Sequence, residues 1–145
     1  MTEIASGTPV VTEMQVIPVA GYDSMLFNLC GAHAPYFTRN IVILKDSAGH
    51  TGIGEVPGGE GIRQALERSC GLVVGKSIGT YNSILNAIRQ TFVSGKAAHQ
   101  ATVHQVTSES EARVLKQPHE INLRMDNVIT AVEAALLDLL GKVLN

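Results

Sequence analysis

The stretch "NIVILKDSAGHTGIGE", Asn40 to Glu55, constrains the fold more than any other part of the chain. Asn40 to Lys45 is a short, dense apolar run, the pattern of a buried strand. Asp46 to His50 then supplies turn residues, with Gly49 free to take a positive φ. Thr51 to Glu55 returns as the partner strand. Upstream, Val10 to Ala20 is rich in Val and Ile and reads as another strand. Pro18 should end that strand or put it at a sheet edge. The first third is therefore a small antiparallel sheet. Asn28 to Asn40, "NLCGAHAPYFTRN", connects two of its strands and reads as a loop.

After a second loop at Val56 to Gly61 the apolar period lengthens from two residues to that of a helix. Glu60 to Ser69 reads as a short helix, and Thr80 to Phe92 as a better one. Tyr81, Ile84, Leu85, Ile88 and Phe92 share one face of the latter. Ser94 to Pro118 is polar and without period, so it is expected to be irregular and mobile. The last element is a helix whose stripe runs Val128, Val132, Ala135, Leu136, Leu139 and Val143. Asp126 is placed to cap it, and Gly141 to break it near its end. Strands followed by helices, without an internal repeat, make an α+β domain over residues 1–145. Its ordered core is expected over about 9–92 and 121–144.

Composition excludes several function classes. With 145 residues, 45% hydrophobic and 17% charged, the chain can bury a core and is not of disordered composition. A net charge of −2 with dispersed Lys and Arg offers no nucleic-acid or membrane surface. Its start carries no signal-peptide pattern, and no apolar run reaches the ~20 residues of a membrane helix. The expectation is a soluble, cytoplasmic protein. Cys30 and Cys70 match no metal or redox spacing and are expected to be reduced.

Local motifs do not name a chemistry. Gly75-Lys76-Ser77 resembles the end of a phosphate loop, but Cys70 stands where that loop needs its first glycine. His99 and His104 are spaced wrongly for a shared helix face. "VPGGEG" is an anion cradle or a plain Gly-rich turn. Glu133 and Asp138 are not a same-face carboxylate pair; a solvated face or a structural hydrogen bond is the default. His33, between two alanines, is either a hydrogen-bonded structural histidine or a ligand contact on a stiff loop.

A longer match is more specific. Pro9 to Leu66, above all "GAHAPYFTRNIVILKD" and "GHTGIGEVPGGE", closely resembles the N-terminal region of glucarate dehydratases in the enolase superfamily. "AVEAALLDLLGK", Ala131 to Lys142, resembles the helix that closes the capping domain there. The resemblance implies an α+β capping domain, here without the (β/α)₈ barrel whose C-terminal mouth it covers. It implies two lid loops, roughly Gly21 to Thr38 and Glu55 to Gly61, over a polyol diacid. Asn28 and His33 match the positions from which the family's cap touches substrate. His33 can donate to a hydroxyl or carboxylate oxygen; Asn28 can donate and accept. Arg39 could steer anions, but anchoring the loop is the preferred reading.

The same resemblance implies a hydro-lyase that dehydrates acid sugars in aldarate catabolism. Its Mg²⁺ and its Lys and His bases come from barrel strands. A barrel takes about 250 residues. No catalytic residue, metal ligand or cofactor maps onto this chain, so alone it is expected to be catalytically incomplete, a fragment. Expected partners are an aldarate, a C-terminal barrel domain and further copies of itself. One position departs: where the family carries a substrate-contacting threonine, this chain has Glu120, which would repel a dianion. The alternatives are a non-catalytic interaction module and a truncated remnant of such an enzyme.

Overall fold

The computed structural model describes residues 7–22, 28–29, 32–33, 36–103 and 118–145. Strands β1 (Val11–Tyr22), β4 (Tyr36–Asp46) and β5 (Thr51–Pro57) form an antiparallel sheet in the order β1-β4-β5. Between β1 and β4, β2 (Asn28–Leu29) and β3 (Ala32–His33) pair as a two-residue ladder. Helices α1 (Glu60–Val73), α2 (Tyr81–Val103) and α3 (Pro118–Leu144) follow, with a 3₁₀ turn at Ile78–Thr80 before α2. This is the expected order, strands then helices.

Side-chain alternation decides which face of the sheet is covered. Val42 and Leu44 of β4 and Val56 of β5 point inward and are buried, and α3 lays Val128, Val132, Ala135, Leu136 and Leu139 over them. Ile84, Leu85 and Ile88 of α2 close the core, with Tyr81 and Phe92 partly buried beside them. Gly52 and Gly54 hold the other inward positions of β5. A Cβ at Gly52 would run into the carbonyl oxygen of Ala135, and one at Gly54 into that of Ala131. The helix therefore rests on the strand backbone to backbone.

α3 also seals the outer edge of β5. The Asp138 carboxylate accepts the Ile53 amide at 2.9 Å, and Lys142 Nζ donates to the Thr51 carbonyl at 2.5 Å. Lys142 pairs with Asp138 at 2.9 Å as well. The hydrogen bond from Lys142, then that from the Ile53 amide, holds the Asp138 carboxyl below its ordinary value. Asp138 thus makes a structural hydrogen bond, one of the two readings open to it from sequence, and an edge that could template aggregation is blocked.

The turn between β4 and β5 forms as read, with Gly49 at φ 92. Asp46 organises it, accepting from the Ala48 amide at 2.9 Å, the His50 amide at 2.8 Å and His50 Nδ1 at 2.9 Å. Burial raises the Asp46 pKa, but those donors outweigh it and leave the carboxyl below its usual value. Cys70 is a free, half-buried thiol on α1, whereas Cys30 lies outside the described residues. Among the described residues no helix is long and apolar enough to cross a membrane.

Several boundaries differ from the sequence reading. β1 runs past Ala20 to Tyr22, while Pro18 lies in an edge strand, one of the two places expected for it. The ribbon continues into the expected loop because aromatic pairs sustain it. Tyr22 and Tyr36 meet edge-to-face at 5.5 Å, and the Phe37 ring covers Gly21. α1 runs on to Val73. Residues 94–103 are helical rather than irregular; Lys96, Ala97, Ala98, Gln100 and Ala101 are good helix formers and need no apolar stripe. The rest of that segment, 104–117, lies outside the described residues. α3 starts at Pro118, a residue suited to a first helical position, so Asp126 sits exposed within the helix and caps nothing. Nor does Gly141 end α3, which continues to Leu144.

The glycine contact gives a direct test. Gly54→Ala should destabilise the chain by about 2–3 kcal/mol, read from the shift in its urea midpoint. Gly71→Ala, where a Cβ meets nothing within 4 Å, should be neutral or stabilising. Equal effects at the two positions would rule out the backbone-contact account.

Candidate functional site

The connection between β1 and β4 and the turn between β5 and α1 leave the sheet at the same end. There the structure forms a cleft of about 310 Å³. Its walls come from Val19 and Ala20 of β1, Thr38 to Asn40 of β4, and Gly58 to Glu60 with Arg63. Of the two loops that the sequence resemblance marks as a lid, Thr38 of the first and Gly58 to Glu60 of the second line this cleft.

Asn40 lies at its base. It shares inward parity with Val42 and Leu44 and is only 1% exposed. A buried amide needs partners. Its Nδ2 donates to the carbonyls of Pro57 and Gly59, each at 3.4 Å. Next to it the Gly58 amide donates to the Thr38 carbonyl at 2.9 Å. Gly58 can come that close because it has no Cβ, which would overlap the Thr38 side chain. Gly59 takes φ 128, open to glycine and strained for other residues, and so turns the chain into α1. Sequence reading missed Asn40. The signal was present: a lone polar residue at an inward position of a dense apolar run.

The charges around the cleft are internally paired. Arg39 Nε meets Glu55 at 2.9 Å, its NH1 donates to the Thr38 carbonyl at 3.1 Å, and its guanidinium sits 5.5 Å from the Phe37 ring centre. Arg39 therefore ties β4 to β5 through Glu55. Arg63 grips Glu60 through Nε at 2.8 Å and NH2 at 2.6 Å, and also pairs with Glu67. The Arg63 hydrogen bond, helped by Gln64, pulls the Glu60 carboxyl down to about 2. Glu60 also suits the positive end of α1, in whose first turn it sits. "VPGGEG" is thus a built turn whose Gly58 amide is already bonded. The resemblance of Gly75 to Ser77 to a phosphate loop likewise dissolves. The Gly75 amide donates to the Val11 carbonyl at 2.8 Å, and the Lys76 carbonyl accepts the Val11 amide at 2.9 Å.

Asn28 and His33, the two substrate-contact candidates, are direct cross-strand partners in the β2-β3 ladder. Their side chains, and those of His99 and Glu120, lie outside the described residues, as does His104 altogether. Among the described residues no group of three His, Cys, Asp or Glu side chains could hold a metal ion. The Mg²⁺ implied by resemblance has no fitting site among these described residues.

No family model matches the sequence. In structure the chain is similar to an enolase from Pseudomonas fluorescens Pf0-1 with bound magnesium, potassium and tartrate. The TM-score is 0.70 and the identity 23%, over 95% of this chain and 30% of that one. An enolase from Mycobacterium smegmatis complexed with tartrate gives 0.68 and 26%, over 98% and 30%. A mandelate racemase/muconate lactonizing protein from Herpetosiphon aurantiacus gives 0.67 and 12%, over 96% and 33%. The fold is that of an enolase-superfamily N-terminal capping domain. The chain spans about 30% of the length of the first two solved proteins it matches.

The paired charges predict a pH response. Glu60 should titrate near 2 by NMR of its carboxyl carbon. Its folded pKa is depressed, so the stabilisation from its pairing is complete above the unfolded value of about 4.3 and fades as pH falls below it. In Arg63→Gln the titration should move up towards that value. A titration unmoved by this change would contradict the assignment of Arg63 as the cause.

Proposed function

We propose that this chain is the substrate-lid domain of an acid-sugar hydro-lyase of the glucarate dehydratase kind. The observation that most supports the reading is the ladder pairing Asn28 with His33, in the connection that leaves the sheet beside the cleft. A diacid polyol bound at the mouth of a barrel must be gripped through hydroxyls and carboxylates and shielded from water. An amide and an imidazole are residue types able to supply such hydrogen bonds. The exposed Tyr22, Tyr36 and Phe37 at the base of this connection offer apolar surface that can exclude water as the lid closes.

The close sequence resemblance of Pro9 to Leu66 favours glucarate-type substrates within the wider superfamily. In the capping-domain reading the proton transfer and loss of water belong to a partner barrel, whereas this chain binds, orients and encloses. Glu120, where the family has threonine, argues for a substrate preference shifted away from a close dianionic contact at that point. A second reading, an interaction module, draws on the outer face of the sheet. There Ile17 and Ile53 are 38% and 53% exposed, an apolar surface that could meet another protein.

The test is kinetic and uses a complete enzyme carrying this domain, assayed for dehydration of hexarates. His33→Ala should lower kcat/KM for the diacid by about 10- to 100-fold, the worth of a hydrogen bond to a charged group. Mg²⁺ affinity should not change. An unchanged kcat/KM would remove His33 from the lid contact.

A further inference from the structure

We infer that Arg124 is a carboxylate-binding residue of this domain: its guanidinium, seated on Gly61 beside the cleft, takes an acidic group that the described residues do not supply. Arg124 lies on α3. Gly61 is in the first turn of α1, directly after the cleft residue Glu60. A Cβ at Gly61 would stand 2.9 Å from Cζ and NH2 of Arg124 and 3.1 Å from its Nε. The guanidinium can lie against the first turn of α1 only because position 61 has no side chain.

The other described cations set Arg124 apart. Arg39 pairs with Glu55, Lys45 with Glu13, Arg63 with Glu60 and Glu67, and Lys142 with Asp138. Arg68, Lys76 and Arg89 are exposed, where water can serve as partner. Arg124 is half-buried, yet no described residue gives it a hydrogen bond or an ion pair. Withdrawing a guanidinium from water is unfavourable unless an acid offsets it. Its planar fork of donors matches a carboxylate through two parallel hydrogen bonds. The ionised Glu60 carboxylate one residue from Gly61 disfavours a doubly charged group such as phosphate there, so a single carboxylate fits better. Two sources have this chemistry: one end of the diacid, which rests on the lid reading, and an Asp or Glu side chain of a partner domain, which does not.

The test is NMR of the full chain, following the Arg124 Nε–H group and the Gly61 amide during titration with acetate and with glucarate. Both signals should move saturably. Arg124→Gln should weaken the binding read at Gly61 by about tenfold or more, the worth of hydrogen bonds to a charged group. Gly61→Ala should weaken the binding read at Arg124 as well, because its Cβ displaces the guanidinium while the charge stays. Glucarate binding at least tenfold tighter than acetate would assign the diacid as the source; similar binding of the two would assign a protein side chain. No saturable movement with either anion would overturn the inference. So would movement that persists unchanged in Arg124→Gln. A response that appears only in Glu120→Gln would overturn it too, since Glu120, four residues earlier on α3, would then already be the partner. None of these readouts involves Asn28 or His33, so this site and the lid contact can fail separately.

Discussion

The rest of the structure depends on the backbone contact between β5 and α3. Gly52 and Gly54 leave the inward face of β5 without side chains, and the carbonyls of Ala131 and Ala135 fill that space. A helix seated this deep can bury Val128, Val132, Leu136 and Leu139 against the sheet. It also brings Asp138 and Lys142 within reach of the strand edge. Each fully buried Leu or Val contributes about 1.5–3 kcal/mol, so this packing outweighs any surface ion pair in the molecule. Because α3 fixes the height of β5, it also fixes where the turn after Pro57 emerges.

The core was legible in the sequence because two patterns carry it. The dense apolar run of Asn40 to Lys45 is a core strand, though buried on one face only, and the helical stripe from Val128 to Leu139 is buried. What escaped had other causes. The extension of β1 and β4 towards Tyr22 and Tyr36 is carried by cross-strand aromatic contacts, which no run along one strand reveals. The continuation of α2 past Ser94 rests on helix propensity without an apolar stripe. The start of α3 at Pro118 was obscured by Asp126, a good cap by type that lies inside a longer helix. Glycines such as Gly54 and Gly58 read as turn formers, whereas here they are also sites of close approach.

The candidate site was legible only in part. Arg39 was read as a loop anchor, and its contacts with Glu55, the Thr38 carbonyl and Phe37 tie strand to strand. Asn28 and His33 were singled out by resemblance, and their opposition in a ladder could not be read from one strand alone. The ion pairs explain why the cleft does not present a bare cationic surface. Arg39 and Arg63 are both engaged by glutamates, so anion attraction within the cleft is muted.

The capping-domain fold places the chain beside enolases of known structure, and the lid reading goes one step beyond that. Its central claim is that Asn28 and His33 meet a bound diacid together. The most direct measurement is a crystal structure of a complete enzyme carrying this domain with a hexarate and a divalent metal bound. The account predicts both side chains within hydrogen-bonding distance of the ligand, about 2.7–3.2 Å. A hexarate bound in the barrel mouth with neither side chain in contact would contradict it.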